Sequence, residues 1–248
     1  VTIQAGAASK SPLFCIHAEA GDVSLYYAVA RHIPDDQPLL GLCAPPSADA
    51  HLEQIAALHV QTIRATQSEG PYLILGECTG GALAYEIAKQ LRDAGGDVRL
   101  LALIDSFPPN LPRLRPWMPR ALYRIVHRSR ILAFHAENLV RLPVAEKFAY
   151  VAQKARRVRR KSVDTWPSTF TSALAAYTPT PYDAPMVLFR AARLPLGIEP
   201  APADLGWAVF ASKLTTETIP GYFTTPISEP RVRILADKLA AHLASDTR

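Results

Sequence analysis

Short, nearly unbroken apolar runs alternate along the chain with longer stretches of helical period. LFCIH (13–17), LLGLCA (39–44), YLILG (72–76) and RLLALID (99–105) read as buried strands. Between them lie three helical patterns. Ser24–His32 places Leu25, Val29 and Ala30 on one face. His51–Gln67 places Leu52, Ile55, Ala56, Leu58, His59 and Ile63 near helical spacing. Thr79–Ala94 stops at Gly95-Gly96. MVLFRA (186–191) and TTETI (215–219) give two later strands, and Glu229–Ala244 a closing helix with Pro230 at its first turn. Strands that are apolar throughout are buried on both faces, so the pattern predicts an α/β fold with a parallel sheet and right-handed crossovers. The alternation breaks between Phe107 and Tyr177, where three basic helical stretches (119–134, 143–161 and 167–176) read as an insertion over one end of the sheet. Its joints are Pro-rich, at Phe107-Pro108-Pro109 and Tyr177–Pro181.

One domain is expected over 1–248: a linker at 1–11, a core at 12–106 and 178–248, and the insertion at 107–177. The chain does not open on Met, and VTIQAGAASKSP reads as a link to something longer. With 49% hydrophobic and 20% charged residues, a disordered, collagen-like or disulfide-scaffold chain is excluded. No apolar run reaches the roughly 18 residues of a membrane span. Cys15, Cys43 and Cys78 cannot pair evenly and form no CxxC, which fits a reduced compartment and no zinc site. Cys15 and Cys43 fall in strands and are expected to be buried and inert. The net charge of +5 invites a nucleic-acid partner, but 14 of the 27 Lys and Arg lie in 107–162 against two acids, Glu137 and Glu146. No aromatic-basic interleaving or recognition helix accompanies them, so the charge needs a local explanation.

The chemistry concentrates at Gly76-Glu77-Cys78-Thr79-Gly80, a G-x-C-x-G between a buried strand and an amphipathic helix. That context fits a nucleophile elbow, where a tight turn lifts the central side chain above the sheet. Gly76 and Gly80 leave room for the turn; Glu77 has a structural role. The positive end of the following helix is expected to lower the thiol's pKa. A buried cysteine in a glycine-rich turn is the plainer alternative. Asp105, an acid at the end of the neighbouring strand, is a candidate catalytic group or a turn cap.

Together these stretches resemble the type I thioesterase domain of nonribosomal peptide and polyketide synthases, an α/β-hydrolase. PLFCIHAEAGDVSLYYAVARHI resembles its first strand and oxyanion loop, LILGECTGGALAYEIAKQLRDAG its elbow and helix, and LLALIDSFPP the strand bearing its acid. YDAPMVLFRA and IPGYFTTPISEPRVRILADKLAAHL resemble the closing elements. The resemblance implies an α/β-hydrolase fold, a mostly parallel sheet flanked by helices, with 107–177 as a helical lid. It makes Cys78 the acyl-carrying nucleophile, Asp105 the acid, and the N–H of Thr79 with one from Ala18 or Glu19 the oxyanion hole. It implies no bound cofactor and no metal. The substrate is an acyl or peptidyl thioester delivered on the phosphopantetheine of a carrier protein, the neighbouring domain of the same synthase. No nucleic acid or membrane is involved, and the setting is the bacterial cytoplasm. The basic lid, with Arg156, Arg157, Arg159 and Arg160, would steer an acidic carrier.

Two departures stand out. Phe223 occupies the family's triad histidine position, in Pro220-Gly221-Tyr222-Phe223, and Glu19 stands where the oxyanion loop usually has a small residue. Phe cannot take or return a proton. Three readings stay open: an inactive variant, natural or engineered, that binds carrier or acyl chain; another base, with His17 in the oxyanion loop and His127 and His135 in the lid as candidates; or acylation of the thiol without a dedicated base. His17 also reads as a structural loop residue, and Glu19 as a solvated acid, a substrate-amine partner or a base. His242, on the last helix, is expected to be solvated.

Overall fold

A computed structural model of the chain describes residues 1–45, 51–109, 111, 115–141, 147, 166–199 and 202–244. Its centre is a seven-stranded sheet: β1 (Thr2–Gln4), β2 (Leu13–Ile16), β3 (Leu39–Leu42), β4 (Tyr72–Glu77), β5 (Val98–Ile104), β6 (Met186–Arg193) and β7 (Leu214–Tyr222), in the order β1-β3-β2-β4-β5-β6-β7. Every pairing is parallel except β1 with β3. The helices are α1 (Tyr27–Ala30, continuing a 3₁₀ turn at Ser24–Tyr26), α2 (Leu52–Thr66), α3 (Thr79–Asp93), α4 (Arg120–Arg141), α5 (Trp166–Ala176) and α6 (Val232–Ala244).

Alternation along each strand divides the core into two layers. Phe14, Ile16, Ile74, Leu101, Leu103 and Leu188 face α2, α3 and α5, packing on Ile55, Leu83, Ile87 and Phe170. Leu13, Cys15, Leu75, Ala102, Ile104 and Phe189 face α1 and α6, packing on Val29, Leu235 and Leu239. Each fully buried large apolar side chain contributes about 1.5–3 kcal/mol, so both faces of the sheet are held firmly.

Several expectations are corrected. The segment expected as a linker supplies β1, whose Thr2 and Gln4 pair with Leu40 and Leu39; its apolar content is too small to register as a strand in sequence. The helix expected over 24–32 is a 3₁₀ turn and one α-turn. Pro230 precedes α6, which begins at Val232, rather than sitting in its first turn. Cys43 lies just past β3 and is exposed, so only Cys15 of the two is buried. The basic stretch 119–134 is the start of a longer helix, α4, and 167–176 matches α5. Most of 143–161, including Arg156, Arg157, Arg159 and Arg160, lies outside the described residues.

The sheet order reverses between β2 and β4: β3 follows β2 outward on one side, and the next strand returns on the other. Loops at the carboxyl ends of β2 and β4 therefore diverge and open a crevice, the usual ligand position in such sheets. Where the 107–177 segment rejoins the core, the Tyr177 hydroxyl donates to Glu86 Oε2 on α3 at 2.6 Å, and the Gln90 amide donates to Oε1 at 2.8 Å. Tyr177→Phe would leave a buried carboxylate oxygen short of its donor, a loss of about 1–3 kcal/mol. For a chain of this size about 2–4 °C of Tm accompanies each kcal/mol. A melt lowered by several degrees is expected, and an unchanged Tm would show that the contact does not bear on stability.

Candidate active site

β4 ends at Glu77 and α3 begins at Thr79, leaving Cys78 alone in the turn at φ 51°, ψ −122°. A non-glycine residue held there is strained, and such strain collects at functional sites. Asp105 (φ 45°) and Thr224 (φ 66°) are also left-handed. The three converge. The Cys78 N–H donates to Ile104 O at 2.8 Å, next to Asp105, and the Thr224 N–H donates to Asp105 Oδ2 at 2.7 Å. The elbow fits because Gly76 and Gly80, as expected, and also Gly81 lack side chains; a Cβ on Gly76 would fall 2.6 Å from Gly80 O. A Cβ on Gly80 would fall 2.5 Å from His17 O, and one on Gly81 2.2 Å from Ser106 Oγ.

The thiol does not show the lowered pKa expected from the helix terminus. Burial pushes it well above the ordinary cysteine value, with Glu77 adding to the shift; the Thr79 N–H opposes it, and Asp105 and Glu19 reinforce it. One backbone dipole is outweighed by desolvation and three carboxylates. Cys78 rests as a neutral thiol.

Asp105 is fully buried, and its carboxyl is pushed up to about 7, by burial first, against the Ala191 and Thr224 N–H bonds and the nearby Arg190. The Ala191 N–H reaches Oδ1 at 2.6 Å. Both oxygens are thus held by backbone, one from β6 and one from the loop after β7. Phe223 sits in that loop beside Thr224, half-buried, its N–H donating to Arg193 O at 2.9 Å and its ring 5.5 Å from that of Phe107.

On the other side of the elbow, the Glu19 N–H donates to Thr79 Oγ1 at 3.1 Å. Of the two expected loop donors, that leaves Ala18, whose N–H meets no acceptor among the described residues. The Glu19 side chain is exposed, with Oε1 3.5 Å from Thr171 Oγ1 on α5. His17 is fully buried. Its Nδ1 lies 2.9 Å from Ala18 O and its Nε2 3.2 Å from His59 Nε2, and its ring rests against Phe170. With Nδ1–H donating to the carbonyl, Nε2 accepts from His59, so both rings are neutral. Burial lowers His17 to about 4 and His59 to about 3. His17 is therefore a strut of the loop after β2, the structural reading of that residue. The sequence placed His59 on the apolar face of its helix, which was the available sign of a buried partner.

Over the elbow, α4 carries Tyr123 and His127, their rings stacked at 5.7 Å and 7°. His127 Nδ1 is 3.1 Å from the Tyr222 hydroxyl. Neither tyrosine was singled out by sequence, since an isolated Tyr carries no motif. The side chain of His135 lies outside the described residues. His242 is partly buried rather than solvated, 3.5 Å from Glu217 and edge-on to Phe189, far from Cys78 in the sheet. No cluster of three or more His, Cys, Asp or Glu suited to a metal occurs among the described residues, and no described helix is long and apolar enough to cross a membrane.

A mostly parallel sheet with helices on both faces and a strand-to-helix elbow beside its switch point is an α/β-hydrolase architecture. The chain belongs to the thioesterase domain family, whose profile matches residues 11–232. It is similar to "Inactive atromentin synthetase invA4" of Paxillus involutus, 30% identical over 109 residues, 42% of this chain and 12% of that protein. The chain thus spans only a small part of such relatives. Among solved structures, a four-domain nonribosomal peptide synthetase bound to AMP and glycine superposes with a TM-score of 0.70 at 26% identity, covering 97% of this chain and 20% of the other. The NocB thioesterase domain in covalent complex with a fluorophosphonate nocardicin G analog superposes with a TM-score of 0.66 at 22% identity, covering 95% and 96%.

The buried histidine pair makes a pH prediction. Both folded-state pKa values lie below the unfolded value near 6.5, so stability is full above 6.5 and falls as pH drops toward 4, where the unfolded chain binds protons that the folded one refuses. Asp105, raised in the folded state, contributes the opposite slope between about 4 and 7, but equally in any chain that keeps it. In urea titrations at pH 7, 6, 5 and 4, His59→Leu should therefore lose less stability on acidification than the parent. Parallel curves would contradict the pair's role.

Proposed function

We propose that the chain takes an acyl or peptidyl group from the phosphopantetheine thioester of a carrier protein onto Cys78 and then releases it. The observation that carries this reading is the strained Cys78 turn at the end of β4, beside Asp105 and facing the N-terminus of α3. In the first step the Cys78 sulfur bonds to the thioester carbonyl carbon, and its proton leaves with the pantetheine thiol. The Thr79 and Ala18 N–H groups would hold the intermediate oxyanion, each such donor worth a few kcal/mol. Exchange of one thioester for another is nearly isoenergetic, which suits a nucleophile that begins as a neutral thiol. In the second step water, or an amine or hydroxyl of the acyl chain itself, attacks and Cys78 departs. A cysteine thioester keeps more acyl-transfer potential than an ester, so ring closure as well as hydrolysis is within its reach.

The second reading is a thioesterase-like module that binds carrier or acyl chain without turnover. Phe223 favours it, and so does a relative whose own name includes the word inactive.

Incubation with a small acyl thioester should give a 1:1 mass shift mapped to the peptide containing Cys78, absent in Cys78→Ala. Because Cys43 is exposed, peptide mapping is required. Label on Cys43 alone would leave the binding module as the surviving reading.

The 107–177 segment is read as a lid that also receives the carrier protein. Arg120, Arg124 and Arg128 are exposed along α4, and a rim of like charge speeds encounter with an acidic partner. Changing all three to Gln should slow loading from a carrier protein, more at low salt than at high, while loading from a small thioester stays as it was. Equal loss with both donors would place these arginines in the site itself.

A further inference from the structure

Phe223 leaves the site without a proton acceptor at the usual place, Asp105 is bound by backbone on both oxygens, and His17 is locked against His59. Of the other described histidines, His127 is the one that meets the end of the strand leading into Phe223. His127 projects from α4 onto the end of β7, where its Nδ1 meets the hydroxyl of Tyr222, the residue before Phe223, at 3.1 Å. Its ring stacks flat on Tyr123, and Tyr123 and Phe223 both pack against the core cluster that holds Phe107, two residues past Asp105. Among the described residues, His127 Nε2 has no hydrogen-bond partner. A histidine with one nitrogen on the hydroxyl of the residue before the vacated position, and the other open, is arranged as a base in the tautomer in which that hydroxyl accepts from Nδ1–H.

We propose that His127 is the proton acceptor for release from Cys78, brought to the site by α4. The inference rests on the acyl-enzyme reading above. With Nδ1–H donating to Tyr222, Nε2 takes the proton from the attacking water or amine as the new C–O or C–N bond forms at the acyl carbon. The C–S bond to Cys78 then breaks, and the imidazolium returns its proton to the sulfur. No other reactant is required. The groups facing His127 are the Tyr123 ring on its own helix and Tyr222 from β7; Arg124, Arg128 and Arg130 flank it on α4. Burial first, then Tyr123, holds the Tyr222 hydroxyl neutral, with Arg130 opposing. Burial lowers the His127 pKa from its ordinary value, which keeps the ring unprotonated at neutral pH. Tyr123 lies near Cys78, and burial first, then the sulfur, raises its hydroxyl's pKa.

The test follows Cys78 acylation and its decay by intact mass, using a small acyl thioester from pH 4.5 to 9. In the parent, the decay rate should rise through an inflection below pH 6.5. In His127→Gln the acylation burst should keep its 1:1 amplitude, showing an intact site. Decay should slow by about 10²-fold, the low end of the range for general base catalysis, and lose the inflection. Tyr222→Phe should slow decay less and keep an inflection, and added imidazole should partly restore decay in His127→Ala. Decay in His127→Gln at the parent rate, or slowed with its inflection intact, would overturn the proposal while leaving the acyl-enzyme standing. No burst in the parent would overturn both.

Discussion

The site depends on how closely backbone approaches backbone at the start of α3. Gly80 lets the oxyanion loop lie against the first helical turn, with His17 O where a Cβ would be, and Gly81 lets the loop bearing Asp105 do the same through Ser106. Two loops from opposite sides of β4 thereby close on one residue, Cys78. A methyl group would displace main chain at His17 in one case and the Ser106 side chain in the other, so Cys78, the loop after β2 and the Asp105 segment are positioned together. The three left-handed residues that meet here are the conformational cost of that closeness, offset by the two-layer core below.

The electrostatics run against a reactive thiolate. Burial, Glu77, Asp105 and Glu19 all raise the thiol's pKa, and the Thr79 N–H alone opposes them. Nucleophilicity falls as thiol pKa falls, so a high-pKa sulfur is intrinsically strong once its proton is removed, and scarce until then. Control of the site therefore lies in where that proton goes. Asp105 answers for structure: its carboxyl ties β5 to β6 and to the loop after β7 through two backbone N–H groups.

Much of this was legible in sequence because the signal was local. Continuous apolar runs located five strands of the parallel sheet and the β-branched TTETI a sixth, and two glycines around a cysteine, between strand and helix, located the elbow. Asp105 followed from its place at the end of the next strand. What escaped was relational. β1 is three residues whose strand character comes from β3 alone. The pairing of His17 with His59 spans 42 positions and that of His127 with Tyr222 spans 95, and no local pattern encodes either. The thiol's pKa was misjudged because a helix terminus can be read from sequence, whereas the count of carboxylates folded around it cannot. Cys43 was misjudged because the strand ends one residue before it.

The inserted segment is fastened unequally. Where α5 rejoins the core, Tyr177 grips a buried carboxylate of α3, and Phe170 is fully enclosed. On the α4 side, His127 meets Tyr222 at 3.1 Å and the Arg231 guanidinium lies 4.4 Å over the Phe134 ring, each worth about 1 kcal/mol, and Tyr123 packs against the core. A structure loosens first where its contacts are few and solvent-facing. The α5 edge is thus the doorpost of the insertion, and on the acyl-enzyme reading proposed above the α4 edge, beside Tyr222, is the doorway.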